Sequence, residues 1–266
     1  MPANPMDPMD LMDTTVLGVF AHPDDESLAC GALFAAAAER GARVALLCLT
    51  RGEAGPGSGR DGGSLGEVRA RELQEAASAL GVRDVTILDH ADGMLPFLEH
   101  DVLERDVADA IHRTRPDLVV TFDLDGLYWH PDHVAVHERV SAAVAAMADA
   151  APALRYASMP PGVVRALVEA APSASRGPLF GIEDADAFGA LAPTPTVVFM
   201  DERAALRKLL ALRCHRTQTE GTALDTIDER EAAKLLATEH YRRADVGAPG
   251  DTLVERLGHA VAAARS

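Results

Sequence analysis

The stretch "TTVLGVFAHPDDESLACGALFAAAAERG", residues 14 to 41, decides how the chain is read. Its first seven residues form an aliphatic run that stops abruptly at charge. Its last sixteen carry the small apolar residues of a closely packed helix and end on Gly41, a residue suited to a helix C-terminus. Strand, short loop and helix in this order make the first half of a βαβ unit. The join between them, "HPDDE", crowds a histidine, two aspartates and a glutamate into residues 22 to 26. Acids in a first helical turn complement the helix dipole, so "DDES" alone reads as a cap; a reaction centre is the alternative.

Outward from this unit the alternation continues. "ARVALLCLT" (42 to 50) reads as a strand, "RGEAGPGSGRDGGSLG" (51 to 66) as a Gly-rich loop, "EVRARELQEAASALG" (67 to 81) as a helix and "DVTILD" (84 to 89) as a strand. A helix over 102 to 115 and a strand over 117 to 122 follow, then "DLDGLYWHPDH" (123 to 133) and a helix over 134 to 150. Such alternation predicts a single Rossmann-like α/β domain: a mainly parallel sheet flanked by helices, with right-handed crossovers. In such sheets the ligand crevice lies beyond the carboxyl ends of the strands, where both charged clusters fall. Beyond Pro152 the pattern predicts strands at 154 to 159 and 194 to 201, a long loop at 173 to 195, and helices near 202 to 215, 228 to 240 and 251 to 265. The expected organisation is a flexible segment over 1 to 13 and one domain over 14 to 266.

Composition narrows the function. Twenty-five basic residues against forty-one acidic ones give a formal charge of −16, and no basic stripe exists to neutralise phosphates, which argues against nucleic acid. Aromatics make up only 4 %, which suits alanine-faced helices on aliphatic strands. Cys30, Cys48 and Cys214 form no CxxC pair, so neither a disulfide framework nor a thiolate zinc site is expected. No basic leader or long apolar run is visible, and a soluble cytoplasmic protein is the expectation, without a membrane span. A homo-oligomer is left open.

A catalytic zinc site takes three His, Asp or Glu ligands and keeps one position open. His22 and Asp25, three apart in a loop stiffened by Pro23, supply two if a histidine of "HPDH" converges on them. The ordered set "AHPDDE", "TRGE" (50 to 53), "RARELQEAASALGV" (69 to 82), "DG" (92 to 93), "GLYWHPDH" (126 to 133) and "KLLALRCHRTQ" (208 to 218) resembles the LmbE-like, or PIG-L, family of zinc-dependent N-deacetylases and covers most of the chain.

By position, the resemblance implies that His22, Asp25 and His133 bind Zn2+, one ion per chain, with another divalent ion such as Fe2+ as a substitute. It implies that Asp24 is the general base toward the attacking water. His130 then stabilises the tetrahedral oxyanion or protonates the leaving amine, as a histidinium able to do both, and Tyr128 assists at the oxyanion. Arg69, in an R-x-x-E pattern with Glu72, resembles a substrate-contacting arginine, against a solvated helix face. Asp92 resembles an acid that holds sugar hydroxyls, against an ordinary turn. Trp129 stands where a small residue is expected. His137, one turn after His133, reads as supporting or structural, and Glu53 as a support of the site or a plain surface acid. His90, His100, His112, His215 and His240 are expected to pack or face solvent, with His215 set apart by its motif.

The function so implied is removal of the N-acetyl group from an N-acetylglucosamine-type substrate, a small-molecule aminosugar glycoside or glycoconjugate, with release of acetate and a free amine. An amidase acting on a thiol conjugate or another N-acyl aminosugar is the alternative. "DLD" at 123 to 125 raises a third reading, a metal-dependent sugar-nucleotide transferase using Asp123 and Asp125, but it leaves both histidine clusters idle and lacks a phosphate cradle. A non-catalytic sugar-binding module is disfavoured by Asp24 itself. Arg51, Arg69 and the loop over 170 to 196 are the groups expected to meet an anionic aglycone.

Overall fold

The computed structural model describes residues 11 to 57 and 63 to 257. Seven strands form one sheet: β1 (Thr15–Phe20), β2 (Arg43–Thr50), β3 (Asp84–His90), β4 (Leu118–Phe122), β5 (Ala153–Ser158), β6 (Val197–Met200) and β7 (Thr238–Gly247). Their order is β3-β2-β1-β4-β5-β7-β6. The first five are parallel, and β7 runs antiparallel to both β5 and β6. β1 has β2 on one side and β4 on the other, so the strand order reverses beside it. That reversal opens a crevice at the carboxyl ends of β1 and β4.

The helices are α1 (Asp25–Glu39), α2 (Leu65–Leu80), α3 (His100–Thr114), α4 (Pro131–Ala146), α5 (Val163–Ala170), α6 (Glu202–Cys214) and α7 (Glu229–Leu236). α1 packs with α2 and α6, while α3 packs with α4. α1 is buried along nearly its whole length, because alanines at 29, 32, 35, 36 and 37 let it lie close between sheet and neighbouring helices. It is not continuous as expected: Cys30 breaks it at φ −147°. The freed N–H groups of Ala32 and Leu33 donate to the Glu239 carboxylate at 2.8 and 2.9 Å, so the break is satisfied rather than orphaned. α2 starts as its sequence requires, with Ser64 and Glu67 forming a reciprocal capping box.

Two expectations are corrected after Pro152. The helix placed over 228 to 240 ends at Leu236, and residues 238 to 247 form a strand inserted between β5 and β6. Its inward face carries Glu239 as well as Tyr241, and a buried carboxylate hides the period-2 pattern that marks a strand. The helix α5 falls in a stretch for which the pattern predicts no element. Of the segment expected to be flexible, residues 1 to 10 lie outside those described, whereas Leu11 is buried and donates its N–H to Arg40 O at 2.9 Å. The helix expected over 251 to 265 is described only to residue 257.

Candidate active site

The β1–α1 turn and the β4–α4 loop face each other across the crevice. His22 and His133 meet there, with His22 Nδ1 3.1 Å from His133 Nε2. Asp25 closes the triangle, one oxygen 3.5 Å from His22 Nδ1 and the other 3.2 Å from His133 Nε2. All three side chains are buried.

The opposite ring nitrogens are already committed. His133 Nδ1 lies 3.0 Å from Gly126 O, and His22 Nε2 lies 3.1 Å from Asp132 and 2.9 Å from Asp92. With each outer nitrogen facing an oxygen, the two inner nitrogens are left facing each other and a carboxylate. That donor set suits a cation: carbonyl or carboxylate groups orient the far sides of histidines that ligate a metal. The spacing also fits, since two nitrogens at about 2.0–2.1 Å from a tetrahedral ion lie roughly 3.3 Å apart. Burial alone would lower the His22 pKa, but hydrogen bonds with Asp132, Asp25 and Asp92 overcome it and hold it well above the ordinary value. Burial would raise Asp25, yet the neighbouring His133 and His22 hold it well below the usual carboxylate range. The site favours positive charge at this point.

Asp24 sits beside the triangle at φ 113°, ψ −26°. A non-glycine residue there is strained by roughly 1–3 kcal/mol and persists only when its surroundings hold it. Arg69 grips the carboxylate at 3.0 Å and Pro23 O at 2.7 Å, while its other terminal nitrogen donates to Gly52 O at 2.7 Å. Gly52, at φ 67°, is obligatory, because a Cβ would fall 2.5 Å from that guanidinium. Burial pushes the Asp24 carboxyl up to about 7 against the pull of Arg69. Arg69 is thus no solvated helix face.

In the opposite loop Leu127 and Trp129 also take positive φ, 66° and 63°. The reversal puts Tyr128 inward, edge-on to His133 at 5.2 Å between ring centroids, and leaves Trp129 half exposed over an apolar cavity of about 390 Å3 lined by Leu95, Leu98, Leu103 and Val134. Gly126, at φ 53°, is needed because a Cβ would lie 2.7 Å from that of His133. His130 starts α4 and accepts from Asp132 N–H through Nδ1 at 3.3 Å. Burial and the adjacent His133 and His22 lower its pKa to about 4, which favours a neutral ring with its proton on Nε2 in place of the expected histidinium.

Other expected residues sort by contact. Asp92 sits against His22 and takes Ala54 N–H at 2.9 Å, and Glu53 fixes the Asp92 backbone by accepting its N–H at 2.9 Å. Arg51 pairs with Asp89 at the end of β3. His137 bonds Phe122 O at 3.0 Å. Asp123 gives both oxygens to Arg242 of β7, and Asp125 accepts Leu127 N–H. "DLD" is therefore no open metal pair. Asp132 was missed as a site residue: fully buried, it accepts Gly93 N–H at 2.8 Å and Leu95 N–H at 3.2 Å while facing His22. Its place inside "HPDH" was the available signal, but an acid in a first helical turn reads as a cap.

The family described as PIG-L, GlcNAc-PI de-N-acetylase, matches residues 17 to 144. A relative from Thermomonospora curvata, named 1D-myo-inositol 2-acetamido-2-deoxy-alpha-D-glucopyranoside deacetylase, is 39 % identical over 240 residues, covering 77 % of this chain and 81 % of its own. The chain belongs to the PIG-L family. Solved structures show the same fold at low identity. The N,N'-diacetylchitobiose deacetylase of Pyrococcus horikoshii gives a TM-score of 0.55 at 19 % identity, over 80 % of this chain and 74 % of that one. The 4-carboxy-2-hydroxymuconate hydratase of Pseudomonas putida KT2440 gives 0.61 at 18 %, over 90 % and 99 %. A deacetylase and a hydratase thus share this fold, and the fold alone does not set the reaction.

Proposed function

We propose that this PIG-L N-deacetylase hydrolyses the acetamide of an N-acetylglucosaminide whose sugar is linked to a cyclitol such as myo-inositol, with zinc as its metal. The observation that carries the reading is the convergence of His22, His133 and Asp25 with Asp24 held beside them; the myo-inositol glycoside named for the 39 % identical relative supports the cyclitol. His22, His133 and Asp25 would hold the ion, which when bound supplies Lewis acidity for the amide carbonyl and acidifies the attacking water.

The remaining work belongs to side chains. Asp24, oriented by Arg69, takes a proton as the water oxygen attacks the carbonyl carbon. His130 donates from Nε2 toward the oxygen that gains charge, a preorganised donor of the oxyanion-hole type. Tyr128, whose hydroxyl burial raises well above its ordinary pKa, stays protonated as a second donor. The carbon–nitrogen bond then breaks, and the proton held by Asp24 passes to the amine nitrogen, leaving acetate and the free aminosugar. Asp132 and Asp92 keep His22 oriented.

Acetate release from 1-O-(2-acetamido-2-deoxy-α-D-glucopyranosyl)-D-myo-inositol tests the reading. Activity is expected to vanish on chelation and to return with stoichiometric zinc. Unchanged turnover in the fully metal-stripped protein would sink the metal-dependent route, and hydrolysis of a thiol-conjugate amide in preference to the glycoside would favour the alternative.

A further inference from the structure

We infer that the buried Glu26–His215 pair is a positioning device that holds the backbone of Asp24 in its strained conformation; the inference rests on the reading of Asp24 as the base. His215 follows α6, 189 residues beyond Glu26, and is fully buried. Its Nε2 lies 3.0 Å from Glu26 Oε1, and the other Glu26 oxygen accepts the Asp24 backbone N–H at 3.1 Å. Glu26 reaches back two residues to do this, and the Ser27 hydroxyl donates to the same carboxylate. The line His215, Glu26, Asp24 N–H thus pins the residue at φ 113° from behind the crevice.

A second set of contacts fastens the same turn. Thr217 donates its N–H and hydroxyl to the two oxygens of Glu72 at 3.0 and 2.6 Å, and Gln218 Nε2 donates to Pro56 O at 2.9 Å. Glu72 lies on α2 three residues from Arg69, the arginine that holds the Asp24 carboxylate. Both ends of Asp24, its N–H and its carboxylate, are therefore held by groups that the 215–218 turn secures. His215 Nδ1 is buried without a partner, so the ring's polar contacts lie on its Glu26 side. A buried polar pair is a modest source of stability, because desolvation offsets the hydrogen bond gained. What this pair contributes is geometry, and a displaced base is expensive to a reaction that needs near-attack alignment.

The test is a double-mutant cycle on the zinc-loaded full chain, read by kcat, KM and zinc content. His215→Phe is expected to lower kcat at least ~10-fold, as misplacement of a catalytic group does, with KM and zinc content unchanged. His215→Gln, which keeps an N–H donor, recovers most of the loss. In an Asp24→Asn background His215→Phe should change the residual kcat by less than ~2-fold, since coupled sites are non-additive. An equal penalty in both backgrounds, or loss of zinc in place of kcat, overturns the inference while leaving Asp24 as base. If Asp24→Asn alone leaves kcat intact, the base assignment falls and this inference with it. Glu26→Leu, which removes the acceptor of the Asp24 N–H, serves in the same cycle, with the same expected and overturning results, if His215→Phe does not fold.

Discussion

At the residue scale the site depends on two carboxylates that do different work. Asp24→Asn removes the proton acceptor while keeping shape, and kcat is expected to fall by ~10²–10⁴, the usual worth of a positioned general base; stopped acetate-release assays at saturating substrate measure it. Asp132→Asn acts elsewhere. An amide has one acceptor oxygen, so its NH2 must meet either Leu95 N–H or the side shared by His22 Nε2 and Gly93 N–H, and zinc affinity is expected to drop ~10–100-fold, as it does when partners of ligating histidines are lost. Competition against a chromophoric chelator reads that change directly. An affinity within the error of the unaltered protein would remove Asp132 as the residue that orients His22. The roles proposed for His22, Asp25 and His133 come from motif position. The Asp132 contact joins residues 110 apart, and local sequence carries no signal for that distance.

At the element scale the antiparallel β7 strand is what the pattern of residues concealed. Its hold on the sheet includes the Arg242–Asp123 pair, in which Asp123 is fully buried. Arg242→Met leaves that carboxylate buried and unpaired, and breaking such a pair by removing one partner costs about 3–5 kcal/mol. Urea unfolding of the variant should show an unfolding free energy lower by that amount, with the slope unchanged. A free energy within about 0.5 kcal/mol of the unaltered chain, the scatter of neutral surface substitutions, would show that β7 is held by its backbone ladder alone. The first five strands and the helices between them were legible because each obeys its own period and ends on a turn residue. β7 was not, because Glu239 faces inward to receive Lys208, Tyr241 and the broken turn of α1. A buried charge is justified only by partners elsewhere in the chain.

At the scale of the whole molecule, the chain's last described turn is tied back to the sheet by charge. Glu255 accepts from Arg155 of β5 at 2.7 Å, from Arg243 of β7 at 3.0 Å and from Thr252. Burial would raise its pKa, but the Thr252 and Arg155 hydrogen bonds win and lower it to about 2. A carboxylate depressed on folding adds stability above its unfolded pKa, about 4.3, and loses it as pH falls through the folded value. Glu255→Gln should therefore be less stable than the unaltered chain at neutral pH, with the difference shrinking between about pH 4 and pH 2. Unfolding midpoints taken across that range test it, and a difference constant with pH would deny the linkage. Among the described residues no helix is long and apolar enough to cross a membrane.

The sequence by itself determined the strand–loop–helix repeat, the position of both charged clusters at strand ends, and the family whose motifs they carry. Those features are local, written in periodicity and short spacing. Only the tertiary structure decided which nitrogen of each histidine is free, that Arg69 holds Asp24, that Asp123 belongs to Arg242, and that His215 reaches Glu26. Each of these is a hydrogen bond between distant segments. Its existence depends on how the layers pack, because burial turns a tolerable loop conformation or an unpaired carboxylate into something the rest of the chain must satisfy.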